Sequence, residues 1–326
     1  MEELKEGFQK YFRQKVVDVS KIDHKGNNRL FKIIVNDGIY LLKQYSRKDE
    51  WDRGLKEARA VEYLNEKNLD VPWFIDYYPD DSIGIYSFEE GRILDSKNVS
   101  SKHISIATDF LTILHNLPDS DKLGFSTERT AALSFREYFI MLEKRFYDIN
   151  CNFCGNDEGK RFFNVEIKDK MNELKDYIYG FSNTYDLDKR LMLNEQVLTP
   201  GDFGFHNMLY SKKSKFIDFE YFGRDDHVKD ILVFLHHDKN LDLKRELKEQ
   251  FVNEYIEKKN PGNLFEDRLR IIDPLIGMSW ALTYAGILNK KYLEHLKFSH
   301  GDDLEKLIDT RLEKAKIKLN NLKFFD

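Results

Sequence analysis

Three oxygen-bearing side chains, Asp202, Asn207 and Asp218, fall within one short stretch of the chain. It reads Leu198-Thr199-Pro200-Gly201-Asp202-Phe203-Gly204-Phe205-His206-Asn207-Met208-Leu209-Tyr210, and then Phe216-Ile217-Asp218-Phe219-Glu220-Tyr221. Short β-type runs (Met208-Leu209-Tyr210 and Lys215-Phe216-Ile217) flank a turn over residues 211–214, so a hairpin brings all three side chains to one end. Asp202 offers a carboxylate to orient and deprotonate an incoming hydroxyl. Asn207 and Asp218 offer hard oxygen ligands, which Mg²⁺ takes while keeping water and phosphate oxygens in its other positions. Phosphoryl transfer requires mainly positioning and charge neutralisation, and this set supplies both.

The elements that must position this set change character near residue 90. Before it, Leu30 to Val35 and Ile39 to Tyr45 read as two strands joined at Asn36-Asp37-Gly38. Trp51 to Lys67 reads as a helix with Leu55, Ala58, Val61 and Leu64 on one stripe. Trp73 to Tyr78 and Ile83 to Phe88 read as two more strands around the turn-like Pro79-Asp80-Asp81-Ser82. After Gly91 the pattern is helical: residues 101–117, stopped by Pro118, then 134–147, 161–181, 243–258, 264–288 and 302–322. A β-rich front, a helical rear and one polar hairpin inside the rear imply two lobes with a site between them.

Bulk properties narrow the function classes. With 326 residues and 41% hydrophobic positions, the chain can bury a large core or two lobes. Charged residues reach 33% and the mean hydropathy is -0.60. A net charge of -5 and a pI near 6.0 count against nucleic acid as the main partner, since phosphate-backbone binders carry a basic excess. Apolar runs such as Leu191 to Leu193 and Ile231 to Leu235 are far too short to span a bilayer, and Met-Glu-Glu-Leu-Lys-Glu at the start is no secretory signal. The expectation is therefore no membrane partner and a cytoplasmic location. Cys151 and Cys154 form a lone C-x-x-C. A tetrahedral zinc site needs two further ligands, so reduced thiols are the better reading and a zinc-linked assembly module the alternative.

The pattern Gly-Asp-x-x-x-x-Asn followed by Ile-Asp-Phe-Glu resembles the aminoglycoside phosphotransferase/choline kinase family. The resemblance extends through Gly223-Arg224-Asp225-Asp226-His227-Val228-Lys229-Asp230-Ile231. It implies an α+β, bilobal protein-kinase-like fold. Residues 1–88 would form a small β-rich N-lobe with one main helix. Residues 89–326 would form a larger, mostly helical C-lobe carrying the catalytic β-hairpin. By the same resemblance Asp202 positions the acceptor hydroxyl, Asn207 and Asp218 hold Mg²⁺, and Asp226 and Asp230 brace the catalytic loop. Pro200 stands where the family usually has His, and fixes φ there.

By the same resemblance, the front of the chain would carry the nucleotide cradle. Lys43 lies where the family places its phosphate-binding lysine, and Glu57 on the following helix is its expected partner, with Glu50 and Glu62 as rivals. Asn27 and Asn28, in the small and polar stretch 25–31, are expected to let backbone N–H groups approach phosphates. The backbone around Phe88 and Glu89 is expected to meet the base. His115 is read as structural.

The resemblance thus implies transfer of the γ-phosphate of ATP or GTP to a small-molecule alcohol, with a sugar or amino-sugar preferred. Choline/ethanolamine-type and aminoglycoside kinases are the alternatives, and a nucleotide-binding pseudokinase scaffold is the non-enzymatic one. His206, Glu220, Trp280 and Tyr284 are candidate substrate-lining residues. Glu220, Asp225 and Asp273 are acids that could hold a cationic acceptor.

Overall fold

In the computed structural model, the described residues are 2–23, 28–46, 52–300 and 304–324, with 295 and 297–300 described by backbone alone. The chain order is α1 (Glu2–Gln9), β1 (Val16–Ile22), β2 (Arg29–Val35), β3 (Gly38–Gln44), α2 (Arg53–Glu66), β4 (Phe74–Tyr78), β5 (Ile83–Ser87), β6 (Arg92–Ile93) and α3 (Ser101–His115). There follow α4 (Asp119–Lys122), α5 (Phe135–Cys151), α6 (Asp157–Arg161), α7 (Lys168–Gly180), β7 (Val197–Thr199), β8 (Met208–Tyr210), β9 (Lys215–Phe216) and β10 (Gly223–Asp225). The last helices are α8 (His227–His236), α9 (Arg245–Lys259), α10 (Phe265–Ala285), α11 (Lys290–His300) and α12 (Glu305–Asn320).

The chain groups into two compact units. The first contains Met1–Leu114, Leu198–Gly223 and Asp242–Tyr255. The second contains His115–Val197, Arg224–Leu241 and Ile256–Asp326. Residue 88 is not a boundary of this grouping, because the hairpin carrying Asp202, Asn207 and Asp218 belongs with the front sheet. Hydrogen bonds explain why: the Phe216 N–H donates to Asp70 O at 2.8 Å, and Lys215 Nζ donates to Val71 O at 2.8 Å.

The first unit is built on a five-stranded antiparallel sheet in the order β1-β2-β3-β5-β4. Alternation along β2 buries Phe31, Ile33 and Val35, and these join Val16, Val19, Leu42, Ile83 and Ile85 with Phe8 of α1 in one core. Each such large apolar side chain stabilises the fold by about 1.5–3 kcal/mol on burial. The β2–β3 register pairs Val35 with Gly38 and Leu30 with Lys43, so the two-residue loop Asn36-Asp37 fixes which face Lys43 occupies.

Helix α2 starts at its cap, where the Asp52 side chain accepts the Leu55 N–H at 2.9 Å. Its buried stripe is Gly54, Glu57, Ala58, Val61 and Leu64, while Leu55 is exposed. The expected stripe is thus rotated by one position at its start, and the rotation carries Glu57 inward.

The second unit is helical around α10, which runs through Pro274. Proline removes the bond to the carbonyl four residues back, and the Tyr177 hydroxyl reaches that carbonyl, Arg270 O, at 3.4 Å. Within residues 265–288 an 18-residue window reaches a mean hydropathy of 1.4, enough by length and composition to cross a membrane, although 72% of that window is buried inside the protein, as for a core helix. This corrects the reading that no segment reaches that length; the longer window was masked by Asp273 and by scattered small residues. The helix expected over 161–181 is interrupted by a π-helical stretch, Phe162–Ile167, between α6 and α7.

Candidate active site

The segment carrying Asp202, Asn207 and Asp218 owes its shape to a few backbone constraints. Gly201 has φ 79°, in the left-handed region that glycine occupies without steric cost, and its N–H donates to Thr199 Oγ1 at 2.9 Å. The turn over residues 205–207 then delivers Asn207, whose side-chain amide donates to the Asp202 carbonyl at 3.0 Å. The Asn207 carbonyl accepts the Ile217 N–H at 2.9 Å, which sets the spacing to Asp218. Asp218 itself has φ 69°, a left-handed conformation that costs a non-glycine residue about 1–3 kcal/mol and marks an over-determined site. Beneath the segment, the ring of Phe110 stacks on Phe216 at 4.1 Å between centroids, and Phe203 lies 5.6 Å from Phe216. Phe203 and Phe219, the neighbours of Asp202 and Asp218, are anchored in this aromatic layer.

Lys43 connects the sheet to that segment. Its Nζ lies 2.6 Å from Glu57 Oε2 and 2.6 Å from Asp218 Oδ1. Burial alone would lower the pKa of this ammonium, but Asp218 and Glu57 outweigh it and hold it well above the usual lysine range. Burial pushes the Glu57 carboxyl up, with Lys43 opposing. Glu57 therefore prevails over Glu62 as the partner; Glu50 lies outside the described residues. Glu220 accepts from Arg53 at 2.9 Å and from the Asn28 side-chain amide at 3.0 Å. The second bond ties the stretch after β1 to the Asp218 segment. Asn27 lies outside the described residues.

These groups face one cavity of about 610 Å³. Its lining includes Asn28, Lys43, Glu57, Phe88, Glu89, Asp202, His206, Asn207, Asp218 and Glu220. His206 Nε2 lies 3.3 Å from Asp202 Oδ1. At the rim, the Phe88 N–H donates to Ile39 O at 3.3 Å, so it is engaged within the sheet, and Glu89 Oε1 accepts from Ser87 Oγ at 2.6 Å. Carboxylate oxygens of Glu57, Asp218 and Glu220 lie within 4.8 Å of one another. Together with the amide oxygen of Asn207, this is an all-oxygen donor set of the kind that suits Mg²⁺.

Asp226, Asp230, Trp280 and Tyr284 belong to the second unit. Asp226 is fully buried, caps α8 through the Val228 N–H at 3.0 Å, and accepts from Tyr138 Oη at 3.0 Å and from the Arg268 guanidinium. Asp230 accepts from His115 Nε2 at 2.9 Å, which gives His115 the structural role expected of it. Trp280 and Tyr284 have ring centroids 6.1 Å apart, and the ammonium groups of Lys318 and Lys314 lie over them. Asp225 is buried against Lys229 at 2.6 Å, and Asp273 bonds His236 at 2.8 Å. Asp225 is thus engaged internally rather than offered to a cationic acceptor. Cys151 ends α5, and Cys154 Sγ donates to Leu288 O at 3.3 Å. Residues the sequence did not single out are Arg53, Tyr45 and Tyr86 beside Glu57 and Glu220, and Tyr138 and Arg268 around Asp226.

No protein-family model matches the sequence, and no curated protein matches it. Solved structures do match. Choline kinase LicA from Streptococcus pneumoniae aligns with a TM-score of 0.64 at 15% identity, covering 98% of this chain and 98% of that one. The chain has the fold of these kinases. Spectinomycin phosphotransferase APH(9)-Ia, in complex with ADP and spectinomycin, aligns with a TM-score of 0.61 at 17% identity, covering 97% of this chain and 98% of that one. Macrolide 2'-phosphotransferase MphH from Brachybacterium faecium aligns with a TM-score of 0.63 at 14% identity, covering 99% of both chains. The α+β protein-kinase-like fold expected from the hairpin motif is thereby present over nearly the whole length.

Proposed function

We propose that this protein is a small-molecule phosphotransferase that moves the γ-phosphate of ATP or GTP to a hydroxyl group. The observation that carries the reading is Lys43 held at 2.6 Å from both Glu57 and Asp218 in a cavity that Asp202 and Asn207 also line. In the reaction, the acceptor oxygen attacks phosphorus, the bond from phosphorus to the bridging oxygen breaks, and the nucleoside diphosphate leaves. Asp202 orients the hydroxyl and takes its proton, with His206 beside it to hold the carboxylate. Lys43 gives up its contact with Asp218 and turns its charge to the phosphates, while Glu57 keeps it in place. Asn207 and Asp218 would hold Mg²⁺, which would supply further neutralisation of the phosphate charge.

The acceptor we favour is an alcohol that also carries an amine, an amino sugar or an amino alcohol. Among the described residues, the cavity is lined by the carboxylates of Asp23, Glu57, Glu89, Asp202, Asp218 and Glu220 and by the ammonium of Lys43. Such an excess of carboxylates favours a cationic acceptor. Neighbours of the same fold carry the names choline kinase, ethanolamine kinase and spectinomycin phosphotransferase, which is in keeping with this class. Titration with ADP, with and without Mg²⁺, tests the reading. Binding that Mg²⁺ strengthens, and that Asp218→Asn makes metal-insensitive, is expected; absence of ADP binding would overturn it.

A further inference from the structure

The buried carboxylate of Glu57 receives more than Lys43. Tyr45 Oη donates to the same oxygen, Oε2, at 2.8 Å, and Tyr45 Oη lies 2.8 Å from Tyr86 Oη. An ionised carboxylate only accepts, so the Tyr45 proton points to Glu57 and Tyr86 must be the donor to Tyr45. The order is therefore Tyr86 to Tyr45 to Glu57, with Lys43 meeting the far end. All four residues are buried, at 3%, 5%, 4% and 6% exposure in that order. The Tyr45 ring, just past the end of β3, also lies 5.1 Å from Lys43 Nζ.

Two glycines make room for this arrangement. A Cβ at Gly84 would lie 2.8 Å from the Tyr86 ring and hydroxyl. A Cβ at Gly54 would lie 2.6 Å from Tyr77 Oη and 2.9 Å from the Tyr45 ring. Glycine inside a helix is less favourable than alanine, so Gly54 in α2 is explained by the rings it admits. Tyr86 also lines the cavity that Lys43, Asp202 and Asp218 face.

We propose that Tyr45 and Tyr86 form a two-hydroxyl relay that fixes the Glu57 carboxylate and, through it, the aim of the Lys43 ammonium. Tyr45 is then a positioning residue for phosphoryl transfer, and Tyr86 links the wall of that cavity to it. A glutamate side chain has three rotatable bonds, and two donors converging on one oxygen select a single arrangement. Removing the Tyr45 hydroxyl leaves the ring volume and the sheet intact but frees that arrangement.

The relay rests on the phosphotransferase reading, and the experiment separates the two. ADP binding, thermal unfolding and the steady-state kinetics of ATP hydrolysis without acceptor are measured for the wild type, Tyr45→Phe, Tyr86→Phe and the double variant. The relay predicts that Tyr45→Phe lowers kcat about tenfold, as expected for a hydrogen bond to a charged group, with KM for ATP and ADP affinity held within about twofold. Tyr86→Phe gives a smaller loss of about threefold, and the double variant matches Tyr45→Phe alone because the hydroxyls act in series. A purely structural role would lower the unfolding temperature without this split between kcat and KM. An active wild type with Tyr45→Phe unchanged in kcat, or with losses that multiply in the double variant, would overturn the relay alone. A wild type that neither binds ADP nor consumes ATP would overturn the phosphotransferase reading and the relay with it. If Tyr45→Phe does not fold, an unchanged kcat in Tyr86→Phe overturns the relay.

Discussion

Lys43 and Asp218 are separated by 175 residues in sequence and by 2.6 Å in space. A strand lysine and a hairpin aspartate meet because the β2–β3 register fixes the first and the aromatic layer under Phe203 and Phe216 fixes the second. The pair neutralises a carboxylate oxygen of the Asp218 segment with the ammonium of the sheet; in the function proposed above, nucleotide and metal binding would exchange the partners of both residues.

Lys43→Met should have two separable consequences. Turnover falls by about two to three orders of magnitude through loss of charge on the phosphates. Stability falls by about 3–5 kcal/mol because Glu57 is left buried without its counter-ion. Denaturant unfolding of Lys43→Met and of the double variant Lys43→Met/Glu57→Gln checks the second effect; the double variant should be the more stable of the two.

Gly84→Ala tests the space cleared for Tyr86. Strand propensity alone would make alanine neutral or favourable, yet its Cβ meets a buried, hydrogen-bonded ring. Overpacking of this kind costs about 1–3 kcal/mol, read as a lower denaturant midpoint at unchanged slope.

His227 predicts an acid limit to stability. Burial is the main cause that lowers its pKa from 6.5 to about 4, with Asp226 opposing and His115, Lys259 and Arg268 adding to the shift. The unfolded chain thus binds a proton between these values that the folded chain does not. Stability is complete above pH 6.5 and declines as pH falls toward 4, by about 3 kcal/mol from this residue. Unfolding free energies measured across that window should show the slope, and His227→Gln should flatten part of it.

Arg268→Met leaves Asp226 fully buried with Tyr138 and the α8 cap but without its cation. A loss of about 3–5 kcal/mol is expected. Arg268→Met/Asp226→Asn should recover part of it in the same unfolding assay.

Much of this site was legible because its signals are local. The hairpin spacing of Asp202, Asn207 and Asp218, the strand position of Lys43 and the helix after it all lie within short windows. Glu57 was the harder assignment, since an apolar stripe predicts Leu55 inward and the helix turns Glu57 inward instead; the signal was Gly54, a small residue where a ring must fit. Tyr45 and Tyr86 gave no signal, because aromatic residues in strands are ordinarily core. The placement of the hairpin with the sheet unit also escaped the sequence, as it depends on bonds from Phe216 and Lys215 to residues 70 and 71. Trp280 and Tyr284, one turn apart, look alike as a stacking platform or as packing, and sequence spacing cannot separate the two.

In the function proposed above, Asp202 takes the proton of the acceptor hydroxyl. ATP consumption measured against a panel of amino sugars, amino alcohols, aminoglycosides and simple sugars, for the wild type and Asp202→Ala, tests it most directly. Mg²⁺-dependent consumption with an amine-bearing alcohol is expected, reduced by at least about a thousandfold in Asp202→Ala while ADP still binds. Turnover that survives in Asp202→Ala would contradict it.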